Sequence, residues 1–229
     1  MVSVEYVINT IFTSRTYILS NDKKKEFWLI DCGDVAPLVK RMAYSANSQF
    51  IVKGVLLTHV HYDHIYGLPQ LKELFPDVKI YTNGFGSEAL KDEKLNYSRY
   101  HEDPIIYESD NIIVCEEGTV INLFEGVEAK VYHTPGHNPS CLTYEVCNYL
   151  FTGDAYIPGN RVVTTLKGSD KKLAIESVER IKSLAKNKII CPGHEGKEQK
   201  NHGDGRNDGE GQCWFRVNDI KDALVDKIQ

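Results

Sequence analysis

Four apolar segments of this chain end abruptly in histidine or aspartate, and this pattern constrains the fold more than any other feature. The segments are LLTHVHYDH, YHTPGH, FTGD and IICPGHE. Each apolar run is typical of a buried strand, so the polar side chains are predicted to follow the carboxyl ends of strands. Side chains in such positions lie in loops that a rigid sheet holds in place. We therefore expect a fold that brings four strand ends together.

The polar residues at these strand ends form one set of metal donors. They are His59, His61, Asp63, His64, His137, Asp154 and His194. A catalytic zinc needs three protein ligands and an open position for water. Five imidazoles and two carboxylates exceed that need and suit two ions that share a carboxylate and a water or hydroxide. Two divalent ions are therefore predicted, with zinc expected and iron or manganese as alternatives for nitrogen and oxygen ligands.

The spacing within HxHxDH assigns different directions to its members. His59 and His61 alternate as in an extended segment, so their side chains can face the same way. Asp63 and His64 follow where the chain turns and can reach a second ion. His101 and His133 are not part of such a cluster and are predicted to be ordinary polar residues.

The remaining patterns predict an α/β fold of two packed sheets with helices outside. Strands are predicted over EYVINTIF, RTYILS, FWLIDCGD, GVLLT, KIY, NIIVC, TVINLF, VEAKVYHT, SCLTYEV, NYLFTGD and KIICPGHE, with tight turns after RTYILS and at Cys147-Asn148. Helices are predicted over VAPLVKRMAYSA, LPQLKELF and DKKLAIESVERIKSLA. The apolar side of the last helix is predicted to carry Leu173, Ile175, Val178, Ile181 and Leu184.

The end of the chain gives weaker signals. VNDIKDALVDKI is predicted to form a closing amphipathic helix, and the glycine-rich segment before it, residues 201–213, is predicted to be a surface loop. The length of 229 residues suits one α/β domain, so a single domain over residues 1–229 is expected.

Charge and composition disfavour several classes of protein. The formal net charge is 27 − 32 = −5, and no basic run exceeds Lys23–Lys25, which disfavours nucleic-acid binding and with it a tRNA-processing nuclease. The first residues alternate apolar and polar and predict a strand, not a signal peptide, which disfavours a secreted β-lactamase. Without a long apolar run, a membrane span is not expected, and the predicted location is the cytoplasm. Six scattered cysteines without a CxxC pair favour neither disulfides nor a cysteine-rich zinc site.

Five segments together resemble the metallo-β-lactamase fold hydrolase superfamily, within the group similar to glyoxalase II. They are WLIDCGD (Trp28–Asp34), THVHYDH (Thr58–His64), HTPGH (His133–His137), FTGD (Phe151–Asp154) and PGH (Pro192–His194). The resemblance implies a four-layer αββα sandwich with a dinuclear metal site between the sheets. It also implies that Asp31 supports the site from behind the ligands.

The resemblance implies a division of the ligands between the two metals. One metal is held by His59, His61 and His137; the other by Asp63, His64 and His194; Asp154 bridges them. The implied mechanism is attack of a metal-bridged hydroxide on a small ester, thioester or related substrate, with the metals stabilising the oxyanion. Asp63 is the candidate catalytic residue, because it can orient the hydroxide or shuttle a proton while remaining a ligand.

The sequence departs from the family pattern near the pocket. Asn138-Pro139-Ser140 stands where many relatives carry a glycine, and Arg15-Thr16-Tyr17 where many carry Asn-Thr-Tyr; both changes are predicted to reshape the pocket. The helical extension with which true glyoxalase II binds glutathione has no clear counterpart in the 35 residues after His194. Candidate substrate contacts are the polar residues next to the ligands, namely Tyr62, Tyr66, Tyr156, Asn160 and Arg161.

Other activities on the same scaffold stay open at this point. A persulfide dioxygenase would use a single iron, and a lactonase or phosphodiesterase would differ only in its substrate. An oxygen-reducing diiron protein is disfavoured because it normally carries a flavodoxin-like partner domain. The expected partner is a small-molecule substrate, while the oligomeric state is not predicted.

Overall fold

A computed structural model describes residues 2–23, 25–46 and 49–197 and contains two mixed β-sheets. The first sheet has six strands in the order β1-β2-β3-β4-β5-β6. Their bounds are β1 Val2–Ile8, β2 Arg15–Asn21, β3 Glu26–Ile30, β4 Ile51–Leu56, β5 Lys79–Thr82 and β6 Ile112–Val114. The first three strands pair antiparallel, whereas β3 to β6 run parallel to one another.

The second sheet has five strands in the order β11-β10-β9-β8-β7. Their bounds are β7 Val120–Phe124, β8 Val127–His133, β9 Leu142–Val146, β10 Tyr149–Gly153 and β11 Ile189–Pro192. Strands β7 to β10 form an antiparallel meander, and β11 returns parallel to β10. The predicted turn at Cys147-Asn148 is confirmed: Val146 pairs with Tyr149, and Cys147 has a left-handed φ of 53°.

The helices connect the strands and cover the outer faces of the sheets. Their bounds are α1 Val35–Ala46, α2 Tyr62–Ile65, α3 Leu68–Leu74, α4 Gly84–Ala89 and α5 Lys171–Leu184, with a short 3₁₀ turn at Ser98–Tyr100. Helix α1 coincides with its predicted segment VAPLVKRMAYSA, and Leu38 and Met42 are buried as its spacing predicts.

Strand β3 explains why the first sheet needs cover on both faces. Phe27 and Leu29 lie in an apolar cluster with Leu38 of α1. The alternate residues Trp28 and Ile30 lie in a second apolar cluster between the two sheets. Because side chains alternate across a strand, a run with no polar residue must be buried on both sides.

Strand β10 repeats this arrangement in the second sheet. Tyr149 and Phe151 lie in the cluster between the sheets, while Leu150 packs outward with Ile181 of α5. The layers are therefore helix, sheet, sheet, helix, which confirms the predicted αββα sandwich.

Two buried side chains tie the sheets together by hydrogen bonds. The indole Nε1 of Trp28 donates to the carbonyl of Leu123 at 2.8 Å. The Tyr144 hydroxyl donates to the carbonyl of Leu57 at 2.9 Å. Both side chains are large and nearly inaccessible, so each contributes apolar burial of ~1.5–3 kcal/mol in addition to its bond. The second contact fixes the chain directly before the HxHxDH segment.

The predicted apolar side of α5 is wrong in part. Leu173 and Ile175 are 40% and 54% exposed, whereas Ala174 and Ser177 are buried. The reason is a close approach: a Cβ on Gly136 would lie 2.2 Å from the backbone nitrogen of Ala174. Only small residues fit where the turn before His137 meets the helix, so size rather than hydropathy selects the buried side.

Several other predictions concern residues outside the site. His133 lies in a strand, as the prediction over VEAKVYHT requires, and is the last residue of β8. The cysteines of the described residues (Cys32, Cys115, Cys141, Cys147 and Cys191) are all free thiols. No helix in this part of the chain has the length and apolar character needed to cross a membrane. The glycine-rich segment 201–213 and the closing helix VNDIKDALVDKI lie outside the described residues, so these predictions and that of a single domain stay predictions.

Candidate metal centre

The four loops that follow β4, β8, β10 and β11 meet at one end of the sandwich. The first sheet supplies the HxHxDH segment, which begins three residues after β4 ends at Leu56. The second sheet supplies His137, Asp154 and His194 from its three loops. The site therefore lies between the sheets, with ligand candidates from both.

The seven predicted donors form three overlapping groups. In each group, one nitrogen or oxygen atom per residue lies within 4.8 Å of the others. The groups are His59, His61 and His137; His59, His64 and Asp154; and Asp63, His64 and His194. The middle group shares a residue with each of the others, so two adjacent ions with Asp154 between them fit this arrangement.

Four of the five histidines are oriented by a hydrogen bond from Nδ1 to an oxygen acceptor. In these rings Nδ1 is the outer nitrogen, which faces away from the centre of the site. The pairs are His59 with Thr58 Oγ1 at 3.2 Å, His64 with Asp31 Oδ2 at 2.8 Å, His137 with the Val163 carbonyl at 2.9 Å, and His194 with the Phe12 carbonyl at 3.0 Å. A ring that donates through Nδ1 presents Nε2 to the centre, as metal-ligating histidines commonly do.

Two buried polar atoms test whether the site fits a metal. His59 Nε2 and Asp154 Oδ1 are both inaccessible and have no hydrogen-bond partner. An unpaired buried acceptor costs ~1–3 kcal/mol of stability, so two of them side by side require a compensating ligand. Since Nδ1 of His59 donates to Thr58, its Nε2 carries a lone pair. A lone pair and a carboxylate in the same ligand group fit a divalent cation.

The electrostatic surroundings give three of these residues the protonation states of metal ligands. Burial, followed by the nearby imidazoles, lowers the pKa of His59 well below its usual value, and burial lowers the pKa of His61 to about 3. Burial acts to raise the pKa of Asp63, but the imidazoles of His64 and His194 outweigh it and lower that pKa to about 2. Near pH 7 these residues are two neutral imidazoles and one carboxylate, as metal binding requires.

His64 is the exception, because carboxylates surround it. Burial alone would lower its pKa, but Asp63, Asp31 and Asp154 outweigh burial and raise the pKa to about 10. Since Nδ1 donates to Asp31, the second proton lies on Nε2, 3.4 Å from Asp63 and 3.6 Å from Asp154. An ion that binds this nitrogen must displace the proton.

Metal binding is therefore expected to release about one proton from His64 at pH 7 and to strengthen as the pH rises. The proton competes with the metal at every pH below the raised pKa. Between pH 7 and 9, the apparent metal affinity of the group Asp63, His64 and His194 is expected to rise about tenfold per pH unit. Titration calorimetry in two buffers of different ionisation enthalpy measures the release. A binding heat that does not depend on the buffer would contradict it.

Asp31 holds the HxHxDH segment from behind. Its backbone is left-handed, with φ 61°, which is unusual for a residue other than glycine. Its carboxylate accepts hydrogen bonds from the Thr58 backbone N–H and hydroxyl, both at 2.7 Å, and from His64 at 2.8 Å. The strained residue thus orients His64 directly and His59 through Thr58.

Gly193 is required where the two sheets meet at the site. A Cβ at this position would lie 2.3 Å from Asp154 Oδ1 and 2.8 Å from the His64 ring. Its backbone N–H donates to the Gly153 carbonyl at 2.9 Å, and its carbonyl accepts from the Arg15 N–H at 2.7 Å. The backbone is thus held on both sides and cannot move away from the ligands.

A small cleft of about 70 Å³ opens beside His137 and Asp154. Of the predicted substrate contacts, Asn160 and Arg161 line this cleft, together with Ile157 and Val163.

The three predicted tyrosines occupy different surroundings. Tyr62 is buried and stacks on the His101 ring at 4.0 Å. The Tyr66 hydroxyl donates to Asp34 at 2.6 Å. Tyr156 packs against the cluster under α5. None of the three lines the cleft beside His137, and their roles as substrate contacts stay predictions.

Two residues near the ligands were missed by the sequence analysis. The Tyr97 ring lies edge-on to His61, with centroids 5.1 Å apart, and its hydroxyl donates to the Lys167 carbonyl at 2.6 Å. Tyr97 lies in an irregular polar segment without periodicity, so no pattern indicated it. Asn138 lies 2.9 Å from His61 Nε2, and the only signal for it was its departure from the family pattern.

Comparison with known sequences agrees with the geometry. The profile of the metallo-beta-lactamase superfamily matches residues 14–194, which include all seven donors. The chain belongs to this superfamily. An uncharacterized protein of Aquifex aeolicus is 32% identical over 181 residues, which cover 77% of this chain and 82% of that protein. A hydroxyacylglutathione hydrolase of Hamiltonella defensa is 25% identical over 178 residues, 76% of this chain but only 59% of that protein.

Solved structures of superfamily members share the fold. The BLEG-1 B3 metallo-beta-lactamase superposes with a TM-score of 0.73 and 27% identity, covering 83% of this chain and 91% of that one. TTHA1623, solved in a di-iron-bound form, gives a TM-score of 0.67 and 25% identity, covering 82% of this chain and 91% of that one. The chain is thus a member of a superfamily of metallo-hydrolases, with a histidine-rich metal-binding site.

Proposed function

We propose that this superfamily member is a metal-dependent hydrolase that cleaves a small ester or thioester with two divalent ions. The observation that carries the proposal is the pair of buried atoms without a hydrogen-bond partner, His59 Nε2 and Asp154 Oδ1, in the middle ligand group, which shares one residue with each outer group. The charge of the site supports two ions. The carboxylates of Asp63 and Asp154, with Asp31 behind them, carry three negative charges, which would balance the net charge of two divalent cations and one hydroxide.

The bound ions would supply a nucleophilic hydroxide near neutral pH and stabilise the oxyanion that develops on the substrate. The chain's own residues would position the water and the substrate and exchange protons with the water. Asp63, with Oδ2 3.2 Å from His194 Nε2, is ionised and can hold a proton of the attacking water. Asn160 and Arg161 border the cleft where the rest of the substrate would lie, and the Arg161 guanidinium suits a substrate carboxylate.

The substrate class rests on the relatives. Hydroxyacylglutathione hydrolases match over 59–61% of their own length, so their thioester chemistry is a proposal for this chain. The metal is proposed to be zinc, with iron as the first alternative because TTHA1623 was solved with two irons.

Metal analysis of the purified chain, followed by assays on thioester, lactone and phosphodiester substrates, tests this function. We expect two ions per chain and thioester or ester hydrolysis that a chelator removes and added metal restores. One iron per chain with oxygen consumption on a persulfide would instead favour the dioxygenase alternative. Hydrolysis that survives complete metal removal would refute the proposal.

A further inference from the structure

His61 differs from the other four histidines of the site in the partner of its outer nitrogen. It faces the centre with Nδ1, which lies 3.0 Å from His137 Nε2. Its other nitrogen, Nε2, lies 2.9 Å from Nδ2 of Asn138. An amide nitrogen can only donate, so the outer nitrogen of His61 meets a donor where the others meet an acceptor.

The orientation of the Asn138 amide is fixed by Ser140. Asn138 Oδ1 accepts from the Ser140 backbone N–H at 2.9 Å and from its hydroxyl at 2.6 Å. The same hydroxyl accepts from the backbone N–H of Val60 at 3.1 Å, so its own proton is directed at Asn138. If the amide turned over, its NH₂ would face the Ser140 N–H, and two donors would oppose each other. The network therefore keeps Nδ2 on His61.

This network selects one tautomer of His61. A neutral imidazole carries one proton, and Nε2 accepts from Asn138, so the proton lies on Nδ1 and is donated to His137. An ion can bind Nδ1 only when that proton has moved to Nε2. There it would meet the amide donor of Asn138. Binding at Nδ1 therefore requires the Asn138 contact to break or the amide to turn over.

We propose that Asn138 is a positioning residue that weakens metal binding by the group His59, His61 and His137. The inference rests on the proposed metal centre and adds that its two ions are held unequally for a reason specific to this chain. Partners of the outer nitrogen typically change metal affinity 10–100-fold, and here the partner has the wrong hydrogen-bonding character. The group that contains Asp63, His64 and His194 has no such conflict at its outer nitrogens, since Nδ1 of His64 and of His194 both donate to acceptors; the proton on His64 Nε2 is a separate cost of metal binding there.

Asn138→Asp tests the inference, because a carboxylate can accept from Ser140 with one oxygen and from His61 Nε2–H with the other. We expect zinc affinity at His61 to rise about 10–100-fold in this variant. Affinity at His194 is expected to rise less than affinity at His61, because Asn138 contacts His61 directly while the two ions share only Asp154. Zinc-buffered titrations followed through the imidazole nitrogen resonances of His61 and His194 separate the two ions.

Asn122→Asp is the control for a general charge effect, because it adds the same charge at an exposed position of β7 and belongs to none of the ligand groups. An equal rise in both variants would show a charge effect and overturn the inference. So would an unchanged affinity at His61 in folded Asn138→Asp. If the unmodified chain binds no zinc at all, the proposed function fails instead.

A second measurement needs no variant. Long-range nitrogen–proton spectra of the unmodified, zinc-free chain report which imidazole nitrogen carries the proton. We expect His61 to be protonated on Nδ1 and to change to Nε2 only when zinc binds at this residue. Protonation of His61 on Nε2 in the zinc-free chain would overturn the inference regardless of how the variants fold.

Discussion

Replacing Asp154 with alanine is expected to reduce bound metal below two ions per chain and to lower hydrolysis by about a thousandfold. Metal stabilisation of a transition state is worth several kcal/mol, and each ~1.4 kcal/mol is a factor of ten in rate. Asp154 lies between the two outer ligand groups, within 3.7 Å of His64, His137 and His194, so its loss affects both. Metal analysis and hydrolysis rates on the same preparation measure the two effects, and His59→Ala is expected to behave alike.

Asp77→Ala is the control, because Asp77 is exposed in the turn before β5 and belongs to none of the ligand groups. Circular dichroism should show that all three variants keep the fold. Full activity of Asp154→Ala at unchanged metal content would exclude the proposed mechanism, since a bridging ligand cannot be dispensable for both.

Gly193→Ala is expected to weaken metal binding by about a hundredfold although it removes no ligand. The added methyl group would lie 2.3 Å from Asp154 Oδ1, and the held backbone leaves the ligand side chains to move instead. Disturbing the residues that orient metal ligands typically costs about 10–100-fold in metal affinity or activity. Zinc titration and the hydrolysis rate at saturating zinc measure the loss.

Gly84→Ala provides the matched control, because nothing lies within 4 Å of a Cβ at that position. The unfolding temperature of zinc-free Gly193→Ala separates a local effect from a general one. If Gly193→Ala binds zinc as the unmodified chain does, the close packing around the ligands is not what positions them.

Local patterns predicted much of the fold because they report on single elements. The run FWLI gave strand β3 through its continuous apolar character, and VAPLVKRMAYSA gave the bounds of α1 through its spacing. The donors were found because each followed a strand, which places side chains at a sheet edge without knowledge of the sheet order.

The features that sequence reasoning missed depend on contacts between distant segments. Leu173 and Ile175 are exposed because α5 turns Ala174 toward Gly136, about 40 residues earlier, and Ser177 toward the carbonyl of Pro135. Asn138 could be noticed but not interpreted, since its effect depends on which amide atom faces His61, a detail that Ser140 decides. Spacing carries no information about the direction of a hydrogen bond.

Because its ligands come from both sheets, the metal site can also stabilise the fold. His59, His61, Asp63 and His64 follow the first sheet, whereas His137, Asp154 and His194 follow the second. An ion bound by both sets would be a cross-link between the halves of the sandwich, made after both have folded. By mass action, a ligand that binds only the folded chain raises the free energy of unfolding. The supply of metal would then govern how long the folded chain persists as well as how fast it turns over substrate.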